Sequence, residues 1–388
     1  MEIRLFLLQE PPSMASDRWA DAKNLLCVRL DALGDVLLTS PALRALKEST
    51  PGRRITLLTS RAGAAAAELI PDVDRVLQYD APWMKATAPG ADASREFELI
   101  EQLRNGRFEG AAIFTVYSQN PLPAALVCYL AGIPRRLAHC RENPYQLLTD
   151  WVAETEPHDV IRHEVRRQLD LAGAIGCYAS DERLALSLPA EADAKAVAAL
   201  RHCGADLSAP WLLMHPGATA SSRRYPPEQY ARAAELLFER HGFQTIFTGV
   251  AAERELIETI RRSMGVPSYS VAGRLSLAEL AAIVQRAPLL IANNTGPVHV
   301  AAAVGTPVVV LYALTNPQHA PWGVPQRVLS FDVPCKYCYK SICPEGHHAC
   351  LRSISPESVV QAAVELHEES LAGRCAAATG ALIAGERF

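Results

Sequence analysis

The sequence predicts an α/β protein built from two doubly wound parallel-sheet domains. Short apolar runs of strand length alternate with helix-type patterns along most of the chain, as they do where helices cover a parallel sheet. The two halves open in the same way, each with a buried strand, a turn and a helix. A length of 388 residues is also too great for one ordinary core and suits two domains.

The first predicted domain begins with an apolar run at residues 25–30, which is typical of a buried strand. Val36, Leu37, Leu43 and Leu46 then fall on one side of a helix. The further elements predicted here are strands at 54–59, 73–79 and 110–116 and helices at 62–69 and 94–105. Their alternation predicts the first parallel sheet.

The second predicted domain repeats this order of elements without a repeat of sequence. Its predicted strands are 211–214, 244–248, 268–271, 288–292 and 307–312, and its predicted helices are 227–240, 253–262, 277–285 and 298–304. No buried strand is evident near residues 180–208, so we place the domain boundary there. The predicted segments are an N-terminal extension (1–23), an N-terminal Rossmann-like domain (24–185), a linker region (186–208), a C-terminal Rossmann-like domain (209–354), a C-terminal helix (355–372) and a tail (373–388).

Composition limits the classes of protein to which the chain can belong. It is 49% hydrophobic and 21% charged, as soluble globular proteins are, and its formal charge is only -4. No global basic field therefore argues for a nucleic-acid partner. The apolar run at residues 5–8 is too short for a secretory signal, and the run at 298–314 is interrupted by Gly305, Thr306 and Pro307. We expect a cytoplasmic protein without a transmembrane span.

The turn at Gly34-Asp35 joins the first strand to its helix. Asp35 therefore lies where open α/β sheets bind their ligands, at the carboxyl end of a strand beside a helix N-terminus. An aspartate at this place can also cap the helix, and capping is the commoner of the two roles. Seen alone, the turn leaves catalysis and capping open.

The loop at residues 215–227 has small residues that let its backbone approach a ligand closely. Gly217 and Thr219 lie in its centre, and Arg223 and Arg224 precede the next helix. Hydroxyls, backbone N–H groups and a guanidinium together suit a diphosphate. An ordinary surface turn is the alternative interpretation.

The segment NNTGPVH at residues 293–299 follows a buried strand and opens a helix. Thr295 can cap that helix, and Pro297 lies in its first turn, where a missing N–H costs nothing. The helix end is then a ready site for an anion. A well-capped turn explains the segment equally well, and His299 can simply be a packed core histidine.

The chain has no GxGxxG after its first strand and no GxxxxGK[ST], so the common dinucleotide and P-loop signatures are absent.

Two other segments have unusual compositions. Between residues 134 and 167, six arginines gather with three histidines in a local basic surface, which is either a solvated helix face or a contact for an acidic acceptor or an anionic membrane. Cys335, Cys338, Cys343 and Cys350 lie close together with two histidines in the last interval. Four thiolates at this spacing can hold a structural zinc or iron, although the spacing is not that of paired CxxC knuckles; packing cysteines and a regulatory thiol pair are the alternatives.

Four segments together resemble one known family. They are RLDALGDVLLTSPALRALK (29–47), HPGATASSRRYP (215–226), AGRLSLAELAAIVQRA (272–287) and NNTGPVHVAAAVGTPVVVLYALTNP (293–317). In this order they closely resemble the lipopolysaccharide heptosyltransferases of glycosyltransferase family 9. The resemblance implies a GT-B architecture of two facing Rossmann-like domains. It also implies inverting transfer of a heptose from an ADP-sugar to a lipopolysaccharide-core, glycan or lipid-linked hydroxyl, without a catalytic metal.

The resemblance also implies roles for individual residues. Asp35, after Gly34, matches the family's general base, and the N-terminal domain is then the acceptor domain. The residues that match or adjoin the family's donor site are Thr219, Arg223, Arg224, Glu253, Asn294, Thr295, Gly296 and His299. Asn294 departs from the family, which usually has Asp before the Thr/Ser-Gly-Pro turn, so the donor sugar stays open. Peripheral contact with the inner membrane face is a further expectation.

Two other classes of function compete with this interpretation. A non-catalytic protein that binds a nucleotide sugar or serves in assembly could retain the same fold, and Asn294 favours it. A sugar-nucleotide epimerase would need a reactive acid/base pair in one pocket, and the sequence offers no strong pair.

Overall fold

The computed structural model describes residues 18–85, 87–88, 90 and 92–385. The predicted apolar run at 5–8 and most of the predicted N-terminal extension lie outside the described residues. The chain divides into a first unit, Met1–Ala185, and a second unit, Leu186–Phe388. The predicted linker 186–208 is grouped with the second unit, where its helix packs on the helix at 277–286.

The first unit contains one parallel sheet in its described residues. The strands are β1 (Asn24–Arg29), β2 (Arg54–Thr59), β3 (Arg75–Gln78), β4 (Gly110–Ile113), β5 (Arg136–Cys140) and β6 (Asp150–Ala153), in the spatial order β3-β2-β1-β4-β5-β6. The helices are α1 (Leu33–Glu48), α2 (Arg61–Ala67), α3 (Ser94–Asn105), α4 (Leu122–Leu130) and α5 (Glu164–Gly173). The middle strands are buried because helices cover a doubly wound sheet on both faces.

The second unit has the same topology. Its strands are β7 (Trp211–His215), β8 (Gln244–Phe247), β9 (Ser268–Ser270), β10 (Leu290–Asn293), β11 (Val308–Leu311) and β12 (Gln326–Leu329), and in the described residues they form a parallel sheet in the order β12-β11-β10-β7-β8-β9. Its helices are α6 (Ala190–His202), α7 (Pro227–His241), α8 (Arg254–Ser263), α9 (Leu277–Arg286), α10 (Gly296–Val304), α11 (Ala349–Arg352) and α12 (Pro356–Gly385). The predicted α/β class with two doubly wound sheets is confirmed.

Each sheet reverses its strand order at one point, and both points involve the first strand of the unit. In the first unit β1 pairs with β2 on one side and with β4 on the other. In the second unit β7 pairs with β8 and with β10. Open α/β sheets bind ligands outside the carboxyl ends of the strands at such a switch point. The topology therefore indicates two places where binding chemistry is expected.

The C-terminal helix α12 ends at Gly385 rather than at residue 372. The prediction of a separate tail from residue 373 was therefore wrong in its boundary. Residues 375–384 contain five alanines, and alanine has the highest intrinsic helix propensity. None of the helices in the described part of the chain combines the length and the apolar character needed to cross a membrane.

The arginine-rich stretch at 134–167 is a basic surface only in part, because Arg141 and Arg166 are exposed whereas other arginines of the stretch are buried. Arg136 and Arg167 are buried, and His139 is buried beside them. Arg167 pairs with Glu154, and Arg162 pairs with Glu156 at 2.6 Å. Buried charges need such partners because desolvation would otherwise be costly. These ion pairs neutralise part of the positive charge, and contact of this stretch with an anionic membrane or an acidic acceptor stays a prediction.

Candidate functional sites in the two units

The turn after β1 places Asp35 in the first turn of α1. The helix begins after Ala32, and no side chain caps it, so Asp35 is not its N-cap. The Asp35 carboxylate lies 3.3 Å from Nη2 of Arg29, and its side chain remains 25% exposed. A carboxylate held by a guanidinium and still open to solvent can accept a proton from a bound hydroxyl.

Arg29 holds three carboxylates although it is completely buried. Its Nε lies 2.9 Å from Asp31, and its Nη1 lies 2.8 Å from Glu164, which is itself buried. Burial alone would lower the pKa of Arg29, but the charges of Asp31, Glu164 and Asp35 together raise it above its ordinary value. The guanidinium is therefore fixed in both charge and position.

Asp31 is the second carboxylate at the end of β1. Burial raises its pKa to about 6, against the opposing charge of Arg29. Its Oδ1 accepts a hydrogen bond of 2.5 Å from Nε2 of Gln119, which follows β4. Asp31 thus connects the Arg29 cluster with the loop that begins after the neighbouring strand.

In the second unit, Asn293 joins the two loops that the sequence predicts as a donor site. Its side chain donates to the carbonyl of Pro216 at 2.7 Å and accepts from the backbone N–H of Tyr225 at 3.1 Å. Asn293 ends β10 and is completely buried. The loop 215–226 and the turn 293–299 therefore form one site at the switch point between β7 and β10.

Asn294 carries a buried amide with unused hydrogen-bonding capacity. Its side chain is 2% exposed, and within the described residues neither its Nδ2 nor its Oδ1 makes a hydrogen bond of good geometry, although it lies close enough to the Tyr312 hydroxyl to lower the pKa of that group. A buried amide of this kind costs free energy unless another group satisfies it. Its place in the turn before α10 marks it as a candidate ligand contact.

The helix α10 begins at Gly296 without a side-chain cap. Thr295 occupies the N-cap position, but its hydroxyl donates to the carbonyl of Asn293 at 3.3 Å, so the predicted capping bond is not formed. The positive end of the helix lies at the carboxyl edge of the sheet, where it favours an anion. His299 is buried in the same helix at 4% exposure.

Arg223 and Arg224 act differently within the phosphate-loop candidate. The Nε of Arg224 donates to the carbonyl of Ala218 at 2.8 Å, which closes the loop on itself. Burial raises the pKa of Tyr312 to about 12, and the positive charge of Arg223 opposes this rise. The Arg223 charge therefore lies close enough to act on Tyr312 at the end of β11, beside the turn 293–299. Thr219 is exposed in the loop.

Glu253 lies directly over Gly217. A Cβ atom on Gly217 would meet the Glu253 carboxyl at 2.0 Å, so a side chain at position 217 would displace it. The carboxylate also accepts from the N–H of Val250 at 2.9 Å. Burial lowers the pKa of the neighbouring His215 to about 4, so its ring, 3.6 Å from Glu253, is neutral at pH 7. Glu253 therefore belongs to the same site as Gly217.

The four clustered cysteines lie beside this loop. Ser222 donates its hydroxyl to the carbonyl of Lys340 at 2.8 Å and its N–H to that of Ser341 at 3.1 Å. Burial raises the pKa of Cys350, and Cys343, Cys335 and Cys338 add to this rise, which places the four thiols in one neighbourhood. No three His, Cys, Asp or Glu side chains of the described chain converge as a metal-ligand set, so the predicted metal stays a prediction.

The sequence singled out the two loops and Asp35, which stay candidates, but three residues that hold them in place were missed. Arg29, Glu164 and Asn293 each hold a candidate functional group through a buried contact. The sequence did hint at the role of Arg29, because it is a charged residue within the apolar run LLCVRL. A charge in a buried strand must be paired. Glu164 carried no local signal because its partner lies 135 residues away.

Comparison with known proteins identifies relatives of the chain. The model of glycosyltransferase family 9 (heptosyltransferase) matches residues 97–349. The lipopolysaccharide heptosyltransferase 1 of Pseudomonas aeruginosa is 27% identical over 330 residues, covering 82% of this chain and 87% of that protein.

Solved structures give the same architecture. A glycosyltransferase family 9 structure from Veillonella parvula superposes with a TM-score of 0.76 at 24% identity, covering 89% of this chain and 98% of that one. The ADP-heptose lipopolysaccharide heptosyltransferase II of Escherichia coli gives a TM-score of 0.70 at 22% identity, covering 89% and 99%. These likenesses confirm the predicted GT-B fold.

Proposed function

The chain belongs to glycosyltransferase family 9, the heptosyltransferases, and from this premise we propose that it transfers heptose from ADP-heptose to a hydroxyl of a lipopolysaccharide core. Membership of the family makes the protein a glycosyltransferase, which disfavours the non-catalytic alternative. The donor and the residue roles proposed here rest on the site geometry. The heptosyltransferase of similar fold from E. coli is named for ADP-heptose, which supports the choice of donor.

The observation that carries the donor assignment is the Asn293 bridge. It holds the loop after β7 and the turn after β10 together at the switch point, where nucleotide ligands bind in doubly wound sheets. Arg223 and the uncapped start of α10 then offer positive charge to the diphosphate. The buried Asn294 amide supplies a donor and an acceptor that the ligand can satisfy.

Glu253 is the group we assign to hydroxyls of the nucleoside or the sugar. An ionised carboxylate is an acceptor only, so it selects hydroxyl donors and repels phosphate oxygens. Its position over Gly217 places it beside the phosphate loop rather than within it. This arrangement separates the hydroxyl-binding end of the donor from its diphosphate.

Asp35 is the general base in the proposed reaction. The acceptor hydroxyl attacks C1 of the heptose and gives its proton to Asp35, while the bond from C1 to the diphosphate oxygen breaks with inversion at C1. Negative charge then grows on the departing ADP. Arg223 and the N–H groups at the start of α10 stabilise that charge in place of a divalent ion. No cofactor is needed for these steps.

The assignment of Asp35 is tested by Asp35→Asn with ADP-heptose and a deacylated lipopolysaccharide core oligosaccharide. We expect kcat to fall by roughly 10²–10⁴-fold, the usual contribution of a general base, while ADP-heptose still stabilises the folded protein against heat. Asp159→Asn, an exposed aspartate of the same unit, is the matched control. Normal turnover by Asp35→Asn would show that another group is the base.

The donor is tested separately by thermal shift with ADP-, GDP- and UDP-sugars at equal concentration. A shift confined to ADP-sugars is expected, since a bound donor stabilises only the folded state. A shift confined to another nucleotide would overturn ADP-heptose and leave the family unaffected. Asn294→Asp, which restores the residue usual in the family, should alter the preference among ADP-sugars because an acid replaces an amide.

For the cysteine segment we propose a structural zinc or iron held by Cys335, Cys338, Cys343 and Cys350. Thiolates are preferred ligands of both metals, and Tyr337 and Tyr339 lie in the left-handed region with φ of 62° and 54°, a conformation that costs free energy and needs support. Elemental analysis of the purified full-length protein should find about one metal per chain, lost in Cys338→Ser and kept in Cys203→Ser. Protein free of stoichiometric zinc and iron would remove the proposal.

A further inference from the structure

A cavity of about 250 Å³ opens beside the first strand of the first unit. It is lined by Leu30 after β1, by Phe114 after β4, and by Trp83 and Met84. It therefore lies at the carboxyl edge of the sheet, between the two strands at which the strand order reverses. This is the switch point of the first unit, the counterpart of the donor site in the second.

The lining of the cavity combines two kinds of group. Trp83, Met84 and Phe114 contribute apolar and aromatic surface, whereas Ser118, Gln119 and Asn120 contribute hydroxyl and amide groups. Sugar rings have a matching division, with a face of C–H groups and a rim of hydroxyls. Pockets for drug-sized ligands occupy about 300–1,000 Å³, so this cavity suits a single ring.

Gln119, one of the polar lining residues, is connected to the proposed base through a chain of partly buried contacts. Gln119 donates to Asp31, Asp31 pairs with Arg29 at 2.9 Å, and Arg29 pairs with Asp35 at 3.3 Å. A ligand that engages Gln119 is thus bound next to the cluster that positions Asp35. The arrangement suits a sugar whose hydroxyl must meet that carboxylate.

We propose that this cavity binds one sugar ring of the acceptor glycan, with its C–H face on Trp83 and its hydroxyls on Gln119 and Asn120. The proposal rests on the proposed glycosyl transfer and names the acceptor subsite for it. Trp83 acts by stacking, since indole offers a large rigid apolar surface at little cost in side-chain entropy. Gln119 acts as a hydrogen-bonding contact already oriented by Asp31.

The test measures binding without transfer. Saturation-transfer NMR with a deacylated lipopolysaccharide core oligosaccharide, in the absence of donor, is applied to the wild type and to Trp83→Ala, Trp83→Phe and Ser118→Trp. Trp83→Ala removes the aromatic wall, whereas Ser118→Trp fills the cavity from an exposed position without removing a core side chain. Tyr178→Ala, an exposed aromatic of the same unit, is the matched control.

We expect the affinity for the oligosaccharide to fall at least about tenfold in Trp83→Ala and Ser118→Trp, as when an aromatic anchor is truncated or excluded. Trp83→Phe should keep most of the affinity, and Tyr178→Ala all of it. The thermal shift with ADP-heptose should be unchanged in every variant, which shows that each is folded.

The outcomes separate this proposal from the proposed function. If the wild type transfers heptose but Trp83→Ala and Ser118→Trp bind the oligosaccharide normally, the subsite is wrong and the transferase stands. If these variants lose binding but the wild type moves no heptose, the cavity is a glycan site and the proposed reaction fails. A wild type that does not bind the oligosaccharide overturns the subsite.

Discussion

Nη2 of Arg29 lies 3.3 Å from the carboxylate of Asp35, and the Arg29 side chain has no exposed surface. Arg29 ends β1, and Asp35 lies in the first turn of α1, so the contact spans the strand-to-helix turn. Glu164 holds the same guanidinium from α5 at 2.8 Å. The direction of the proposed base is therefore set by a residue that does not itself touch substrate.

Arg29→Lys tests this positioning role. Lysine keeps the charge but cannot contact three carboxylates with a planar group, so Asp35 should lose its fixed orientation. We expect kcat to fall at least about tenfold with the KM for ADP-heptose unchanged. Activity is normalised to the fraction of chains that bind donor, measured by calorimetry. A fall in donor stoichiometry with normal kcat per binding site would show that Arg29 serves only folding.

Asn293→Ala tests the bridge within the donor site. The substitution leaves the N–H of Tyr225 and the carbonyl of Pro216 without their buried partner, which should cost about 1–3 kcal/mol of unfolding free energy. The loop and the turn should also separate, so we expect weaker ADP-heptose binding by calorimetry. Asn105→Ala, an exposed asparagine of the first unit, should change neither quantity. Donor affinity equal to the wild type would mean that each loop binds independently.

Gly217→Ala tests the contact between the phosphate loop and Glu253. The new methyl group would lie 2.0 Å from the carboxyl, which can move aside, so donor affinity should fall while the unfolding free energy changes little. When Gly217→Ala is introduced into the Glu253→Ala variant, it should reduce donor affinity by less, because the carboxyl that the methyl group would displace is already absent. Equal effects in both backgrounds would show that Glu253 does not mediate the loss.

The buried histidine His215 predicts a pH dependence of stability. Burial lowers its pKa in the folded state from 6.5 to about 4, so the unfolded chain binds the proton more readily. Its contribution is fully present above pH 6.5 and is lost as pH falls towards 4. The shift corresponds to about 3 kcal/mol. Denaturant unfolding at pH 7 and pH 4.5 should show a smaller loss for His215→Gln than for the wild type, whereas exposed His202→Gln should match the wild type.

Local sequence patterns predicted those parts of the candidate sites that directly follow a buried strand. The turn at Asp35, the loop with Arg223 and the turn with Asn294 all follow buried strands, so their place at the sheet edge could be inferred. The same patterns missed β5, because Arg136 and His139 interrupt its apolar run although both are buried. Their burial depends on partners elsewhere in the chain.

The positioning contacts could not be predicted for the same reason. Arg29 and Glu164 are 135 residues apart, and Asn293 reaches a carbonyl 77 residues away. A single sequence carries no signal for such pairs beyond the need of a buried charge or amide for some partner. The ion pairs of Arg162 and Arg167 could not be predicted either, because their partners Glu156 and Glu154 are equally inconspicuous in the sequence.

The hydrogen bonds from Ser222 to Lys340 and Ser341 have a consequence for protein engineering. The phosphate loop and the cysteine segment lie more than a hundred residues apart in the chain, yet each completes the other's backbone hydrogen bonding. A chimaera that takes residues 215–226 from a relative but keeps its own residues 335–350 would place the carbonyls of Lys340 and Ser341 against a loop of different sequence. Donor preference should therefore be exchangeable between such enzymes only when both segments are transplanted as one unit.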